Sequence, residues 1–325
     1  MIEAAYVFAM VALIPFFSWQ QREEGRNVVG ALLTGVFLIL WLFAGLFPAS
    51  WDLTTQLTAC FAAWLFASLL WSNSRQSASD LYTFLACLMV FLAARRLSTL
   101  VLVGMLFLPG VIFAGLSLWN VRRKIETNDD IKKKWPIFGN SNHVGAFLLV
   151  PLFCGLWLSF NVSPWLFVPT VAIGIAIGLN QCRGAHAGTL TGLYYVACLQ
   201  TPWMLVLLPF IVVALYLVYR FRSDRRSISR RLFILAGTVI LIKRALLAGY
   251  GLRTFRREFP SILPELTTNR WVKAMTQGTI EENTSHRVHN DHLELVFELG
   301  IIGYVLFLAI FGSLEWAANP ILSGA

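Results

Sequence analysis

The chain has 325 residues, of which 57% are hydrophobic and 13% are charged, and its mean hydropathy is +0.67. A soluble domain carries about 25% charged residues, so this composition excludes a water-soluble globular protein and indicates a membrane protein. The formal net charge of +9 comes from 26 Lys and Arg against 17 Asp and Glu. Because the basic residues cluster between apolar runs, they indicate membrane topology and contact with anionic membrane lipids, and we expect no nucleic-acid partner.

Apolar runs recur along the chain, and most have about the 20 residues that a helix needs to cross a bilayer. Only helices fit, because the backbone groups of a segment in lipid must be satisfied within that segment. The sequence therefore predicts an all-α, polytopic membrane protein with about 10–11 transmembrane helices, in one integral membrane domain over residues 1–325. The predicted spans lie near residues 2–19, 28–47, 53–71, 81–94, 99–119, 143–160, 165–180, 184–200, 202–219, 232–248 and 293–314.

Three polar segments separate some of these spans. The segments 120–142 and 249–291 are long enough to hold chemistry, and the second is rich in Arg, Glu and His. The segment 220–231 contains six arginines and one aspartate. By the positive-inside rule, that composition indicates a cytoplasmic location.

The string VHNDHLELVFELGIIGYVLFL at residues 288–308 carries the first group of candidate functional residues. Glu294 and Glu298 lie four residues apart, so they share one face of a helix. A carboxylate inside a membrane span is costly and is by default a functional candidate. The alternative is that Glu298 pairs locally and that His289, just ahead of the helix, is a solvated loop histidine.

Three further pieces are candidates. Arg183, in QCRGA at 181–185, either snorkels to lipid headgroups or faces a phosphate, which suits the geometry of a guanidinium. The asparagines of FGNSN at 138–142 either cap a helix or serve a site. GYGLRTF at 249–255 contains a GxG pattern but follows no strand, so a Rossmann site is excluded.

Together and in this order, these pieces resemble the O-antigen ligase/O-antigen polymerase type of membrane glycosyltransferase. The family pattern runs FGNxN, SRGA, an arginine about eighteen residues before GxGxxxF, and then HNxxLExxxExGxxG. This chain has FGNSN at 138–142, CRGA at 182–185 with Cys182 in place of the serine, and HNDHLELVFELGIIG at 289–303. Arg231 lies eighteen residues before Gly249. The resemblance covers about residues 120–315.

The resemblance implies a donor glycan carried on undecaprenyl diphosphate, which is moved to a hydroxyl of an acceptor such as lipid A-core. It places the reaction at the periplasmic face of the bacterial inner membrane, with 249–291 as a periplasmic catalytic loop. It also implies no metal and no cofactor, and the chain has neither an Asp-x-Asp nor a CxxC sequence.

The resemblance also assigns residue roles. Arg183 and His289 are the expected catalytic residues: the arginine neutralises the leaving diphosphate, and the histidine activates the acceptor hydroxyl. Glu294 or Glu298 is a candidate to orient the imidazole of His289. The expected substrate-binding residues are Arg231, Arg244, Arg253, Asn140, Asn142, Asn290 and Glu298.

The family pattern requires residues 138–143, Arg183 and the loop 249–291 on one side of the membrane. Three apolar runs separate Arg183 from that loop, so one of them is not a full crossing. Either 184–200 is re-entrant with a broken backbone, or 232–248 lies along the interface. We favour the first alternative, because it leaves the six-arginine segment cytoplasmic, and Arg244 is then a better second arginine than Arg231.

Several functions compete. Within the family, the alternatives to an O-antigen ligase are an O-antigen polymerase, which joins lipid-linked repeats, and a protein O-oligosaccharyltransferase. The rival from another class is a flippase for a lipid-linked sugar, which would be expected to have broken helices paired in two halves. The sequence shows no internal repeat, which disfavours the flippase.

Overall fold

The computed structural model of the chain describes residues 2–10, 33–37, 51–72, 77–126, 141–180, 182–201, 206, 212–213, 225–270, 272, 288 and 290–318. All regular secondary structure in these ranges is helical, which confirms the predicted all-α class. The helices are α1 (Ile2–Phe8), α2 (Leu53–Ser68), α3 (Ser77–Ala94), α4 (Thr99–Glu126), α5 (Ser141–Asn161), α6 (Phe167–Leu179), α7 (Arg183–Gln200), α8 (Arg225–Arg244), α9 (Phe255–Glu258), α10 (Leu263–Thr268) and α11 (Asp291–Ala318). Short 3-10 turns at Pro164–Leu166 and Phe259–Ile262 precede α6 and α10.

Three helical stretches in the described part of the chain are long and apolar enough to cross a bilayer: Thr99–Arg123, Val144–Asn161 and Asp291–Leu314. The shorter apolar helices are Leu53–Ser68, Asp80–Ala94 and Pro164–Leu179. These helices support the membrane class. The total of ten or eleven spans stays a prediction, because half of the run near 2–19 and most of the runs near 28–47 and 202–219 lie outside the described residues.

The chain divides into two compact units, and the first contains residues 1–45 and 89–222. In this unit α5 packs against α4, α6 and α7. Its core includes the fully buried side chains Phe113, Leu148 and Ile173. A Cβ atom on Gly110 of α4 would lie 2.1 Å from the Cβ of Pro151 on α5. The missing side chain therefore lets the two helices approach closely, as small residues do in membrane bundles.

The second unit contains residues 46–88 and 223–325. Here α11 packs against α2 and α8, and α8 also packs against α10 and the turn Phe259–Ile262. Aromatic rings fill the centre: Phe255 meets Phe297 edge to face at 5.2 Å, and Phe233 meets Phe259 at 6.1 Å between ring centroids. This core fixes the segment after Gly249 against α8 and α11.

The structure of α7 tests one of the two alternatives for the apolar run that does not cross the membrane. The favoured alternative placed a broken backbone within 184–200, but the structure has one uninterrupted helix from Arg183 to Gln200. That expectation of a break is therefore wrong. The other candidate, α8, has charged residues in both its first and last turns and is not among the long apolar helices of the described residues. Which of the two fails to cross stays a prediction.

The backbone break that the structure does contain lies in α11, at Gly300. This residue has φ 67° and ψ −176°, a combination that only glycine adopts readily. On one side of the break, the carbonyl oxygens of Phe297 and Glu298 accept hydrogen bonds from outside the helix. The N–H of Tyr250 donates to Phe297 at 2.9 Å, and the N–H of Gly251 donates to Glu298 at 2.8 Å.

The other side of the break is satisfied by the same neighbouring segment. The N–H groups of Ile301 and Ile302 donate to the carbonyl oxygens of Leu246 and Leu247, at 2.8 and 3.4 Å. Residues 246–251 therefore fill the gap in α11 as both donor and acceptor. In a span without water, this pairing avoids the cost of several unsatisfied backbone groups.

A substitution at Gly300 tests this arrangement. An added Cβ would lie 2.1 Å from the carbonyl oxygen of Leu247, and alanine does not tolerate the backbone angles. We expect Gly300→Ala to lower the free energy of unfolding by about 3 kcal/mol. The measurement is the thermal unfolding midpoint of the protein in detergent.

The matched control is Gly312→Ala in the same helix. A Cβ at this position meets no atom within 4 Å, and alanine has a higher helix propensity than glycine. We expect an unchanged or higher midpoint for this variant. Equal midpoints for the two variants would contradict the proposed role of the break.

Candidate functional site

The GYG sequence at residues 249–251 forms a buried turn against the break in α11. Gly249 and Gly251 have φ values of 69° and 88°. A Cβ on Gly249 would lie 2.5 Å from the carbonyl oxygen of Glu298, and one on Gly251 would lie 2.6 Å from the Cα of Ser72. The two glycines are thus required by close backbone approach, and the GxG pattern serves packing within the protein.

Arg253 follows this turn in a strained conformation. Its φ of 56° makes it the only non-glycine residue with a positive φ among those that the structure describes. Its backbone N–H donates to the carboxylate oxygen Oε1 of Glu298 at 2.8 Å. Glu298 is buried, with only 5% of its surface exposed. The carboxylate therefore holds a residue 45 positions away, in place of a local partner on its own helix.

The side chain of Arg253 is fixed from the other side by Asp80, in the first turn of α3. Its Nη1 lies 2.6 Å from Oδ1 of Asp80, and the two side chains are 28% and 26% exposed. The hydroxyls of Ser72 and Ser77 donate to the carbonyl oxygen of Leu252, at 2.9 and 2.7 Å. Ser72 and Ser77 thus bind the backbone of the 252–253 turn, and Asp80 binds its side chain.

Trp64 completes the set of groups around the break. Its indole Nε1 donates to the carbonyl oxygen of Leu299 at 2.9 Å. Sequence reasoning missed Trp64, Ser72, Ser77 and Asp80 as parts of this site. The available signal was weak, because serine and aspartate before an apolar run are also ordinary helix-capping residues.

Tyr250 lies on the surface of the turn. Its ring stacks on Phe297, with centroids 5.0 Å apart and planes at 15°. Burial raises the pKa of the phenol and the charge of Glu258 raises it further, while Arg244 lowers it. The hydroxyl is therefore protonated at neutral pH and able to donate a hydrogen bond.

The two predicted arginines of α8 lie in different environments. Arg244 forms an ion pair with Glu265 and is half exposed, whereas Arg231 is exposed nearer the start of the helix. Thirteen residues separate them, which corresponds to about 20 Å along a helix. The two guanidinium groups are therefore too far apart to bind one diphosphate together.

The start of α11 is capped by Asn290. Its side-chain oxygen accepts the N–H of Leu293 at 3.1 Å, which is the usual role of asparagine at this position. His289 lies outside the described residues. The neighbouring His292 is exposed, and its Nδ1 lies 3.4 Å from the hydroxyl of Tyr304.

In the first unit, the CRGA sequence begins α7. Cys182 is the N-cap, and its sulfur accepts the N–H of Ala185 at 3.4 Å. Arg183 is the first helical residue, and its side chain is outside the described atoms. A Cβ on Gly145 would lie 2.7 Å from the Cβ of Ala185 and 2.9 Å from that of Cys182. The first turns of α5, a helix that begins within FGNSN, therefore pack directly on CRGA at Gly145.

The four sequence pieces thus form two groups. The start of α5 meets CRGA in the first unit, and GYGLRTF meets the ELG part of the last piece in the second unit. Asn142 is helical but its side chain is not described, and Asn140 lies outside the described residues. Among the described residues, no three His, Cys, Asp or Glu side chains are grouped to hold a metal ion.

The comparison with protein families identifies a family for this chain. The family model described as O-antigen ligase matches residues 144–308, about half of the chain. The chain belongs to the O-antigen ligase family. The matched range contains CRGA, Arg231, GYGLRTF and the HNDHLELVFELG sequence, and it begins after FGNSN and after Asp80. No curated protein and no solved structure matches the chain.

The Cys182 cap explains how this chain tolerates its departure from the family's serine. We expect Cys182→Ser to retain the unfolding midpoint, because a hydroxyl is a better N-cap acceptor than a thiol. Cys182→Ala removes the cap and is expected to cost about 1 kcal/mol. Thermal unfolding of both variants in detergent measures the difference. A serine variant as unstable as the alanine variant would rule out the capping role.

Proposed function

We propose that the protein is an O-antigen ligase, which transfers an undecaprenyl-diphosphate-linked O-antigen polysaccharide to lipid A-core at the periplasmic face of the inner membrane. The observation that carries this proposal is the family match over residues 144–308. It includes three of the four sequence pieces that the resemblance rests on. The membrane-spanning helices agree with a lipid-linked donor.

In the proposed reaction, an acceptor hydroxyl attacks the anomeric carbon of the donor glycan. A new glycosidic bond forms, the bond to the diphosphate oxygen breaks, and undecaprenyl diphosphate leaves. His289 takes the hydroxyl proton as general base. It immediately precedes the N-cap of α11, which begins the candidate span Asp291–Leu314. A base at the end of a span is suited to a substrate whose diphosphate lies at headgroup level.

Arg183 is the proposed partner of the leaving diphosphate. It is the first residue of α7, and the N-terminus of a helix favours anions through its free N–H groups and dipole. Arg253, or Arg244 near the same turn, is the proposed second cation. Asn140, Asn142 and Asn290 stay expected substrate-binding residues, whereas Glu298 acts through the backbone of Arg253. Arg231 is a substrate-binding residue only in the alternative in which 232–248 lies along the interface, because the favoured alternative places it on the cytoplasmic side.

A lipopolysaccharide gel tests the proposal directly. A ligase-deficient host that makes a compatible O-antigen is expected to regain its O-antigen ladder when it expresses the protein. The ladder should vanish with His289→Ala, since the general base is lost. The matched control is His292→Ala, because this exposed histidine lies three residues away at a position that the family pattern leaves unspecified; it should retain the ladder.

Two results of this experiment would contradict the proposal. If the protein is present in the membrane and no ladder forms, the ligase assignment fails, and the same gel in a polymerase-deficient host tests the O-antigen polymerase. A ladder with His289→Ala would leave the ligase assignment intact and overturn the role of the histidine.

The proposed periplasmic site predicts the side of the membrane on which α5 begins. In a variant without native cysteines, Ser141→Cys should react with an impermeant maleimide in intact cells. Ser227→Cys, in the first turn of α8 and within the arginine-rich segment 220–231, should react only after permeabilisation, because that segment is expected to be cytoplasmic. Protection of position 141 in intact cells would contradict a periplasmic donor site.

A further inference from the structure

The contacts of Asp80 point to a role beyond the family pattern. Asp80 lies outside the matched range 144–308 and its side chain binds the guanidinium of Arg253. Ser77 lies three residues earlier, on the same face of α3. One face of this helix turn therefore binds two consecutive residues, Leu252 through the hydroxyl of Ser77 and Arg253 through the carboxylate of Asp80.

The backbone of the 252–254 turn is held without Asp80. Leu252 and Thr254 are fully buried, and the hydroxyl of Thr254 donates to the carbonyl oxygen of Gly251 at 2.8 Å. The N–H of Arg253 donates to Glu298. Asp80 contacts the Arg253 guanidinium and no backbone group of this turn is needed for that contact, so its substitution is expected to alter the direction of the cation more than the path of the backbone.

The left-handed backbone of Arg253 indicates that its contact with Asp80 has a functional role. An arginine in the left-handed region persists only where its surroundings fix it, and such residues cluster at functional sites. The GYG turn, Glu298 and Asp80 together impose both the backbone conformation and the side-chain direction of Arg253. A guanidinium fixed before the ligand arrives loses less conformational entropy on binding than a free one.

We propose that Asp80 is a positioning residue that orients the Arg253 guanidinium toward the diphosphate of the lipid-linked donor. This inference rests on the proposed function, because it assumes a diphosphate ligand. The competing explanation, that Asp80 only neutralises Arg253, predicts the opposite effect on ligand binding. If Asp80 only neutralised Arg253, its removal would free the cation and strengthen the binding of an anion.

The test is the binding of undecaprenyl diphosphate to the purified full-length protein in detergent. Positioning predicts that Asp80→Asn raises the Kd by about tenfold, a coupling typical of groups in direct contact. Arg253→Gln is expected to raise it at least as much. The double variant should bind no more weakly than Arg253→Gln alone, because Asp80 acts through Arg253.

The matched control is Glu258→Gln. Glu258 forms an ion pair with Arg257, and its side chain is 22% exposed, close to the 26% of Asp80. The same change from carboxylate to amide is expected to leave the Kd unchanged. Asp80→Glu keeps the charge and should bind undecaprenyl diphosphate more tightly than Asp80→Asn does. If the asparagine variant does not fold, the Kd of Asp80→Glu is compared with that of the unsubstituted protein instead, and a raised Kd is expected because the longer side chain displaces the carboxylate.

An unchanged or lower Kd for Asp80→Asn, or additive effects in the double variant, would overturn the positioning role. With active protein, the KM for the donor should rise in Asp80→Asn while kcat changes little. Binding that follows the expected pattern without transfer to lipid A-core would refute the ligase assignment and leave the positioning role standing.

Discussion

The hydrogen bonds that fill the break in α11 are the constraint on which the second unit depends. At Gly300 the backbone hydrogen bonds within the helix are interrupted, and residues 246–251 supply the missing donors and acceptors. Inside a bilayer no water replaces such partners, and each unsatisfied group costs several kcal/mol. The turn after α8 and the break in α11 therefore require each other. This mutual requirement gives a physical reason for glycines in both pieces, although about 50 residues separate them in the chain.

The same constraint explains the position of the charged groups. Arg253 lies two residues after the GYG turn that is seated in the break, and it adopts a left-handed conformation. The buried carboxylate of Glu298 and the carboxylate of Asp80 then hold its N–H and its guanidinium, respectively. A carboxylate in a span is costly when it is unpaired. Here the hydrogen bond from the N–H of Arg253 offsets part of the cost of burying Glu298. It also links the buried part of α11 to the cationic residue Arg253.

Helices and family were predictable from the sequence because both depend on local patterns. Apolar length located α4, α5 and α11, and short spaced pieces such as HNDHLELVFELG identified the family. The intramembrane carboxylate Glu298 was also identified as a candidate by its cost alone. The pairing of Asp80 with Arg253 was not predictable, since 173 residues separate them and helical periodicity gives no information about such contacts. The interruption of α11 at Gly300 was not predictable either, because the apolar run continues on both sides of this residue.

The three arginines that are candidates for a second cation beside Arg183 differ in how firmly the structure holds them. Arg231 and Arg244 lie on α8 with exposed side chains, and Arg244 shares its charge with Glu265 at the surface. Arg253 is held at its backbone and at its guanidinium. Electrostatic catalysis is most effective when charges are in place before the reaction, because no energy is then spent on reorienting them. By that criterion Arg253 is the best-oriented of the three candidates for the second cation, and its left-handed backbone is the energetic cost of that orientation.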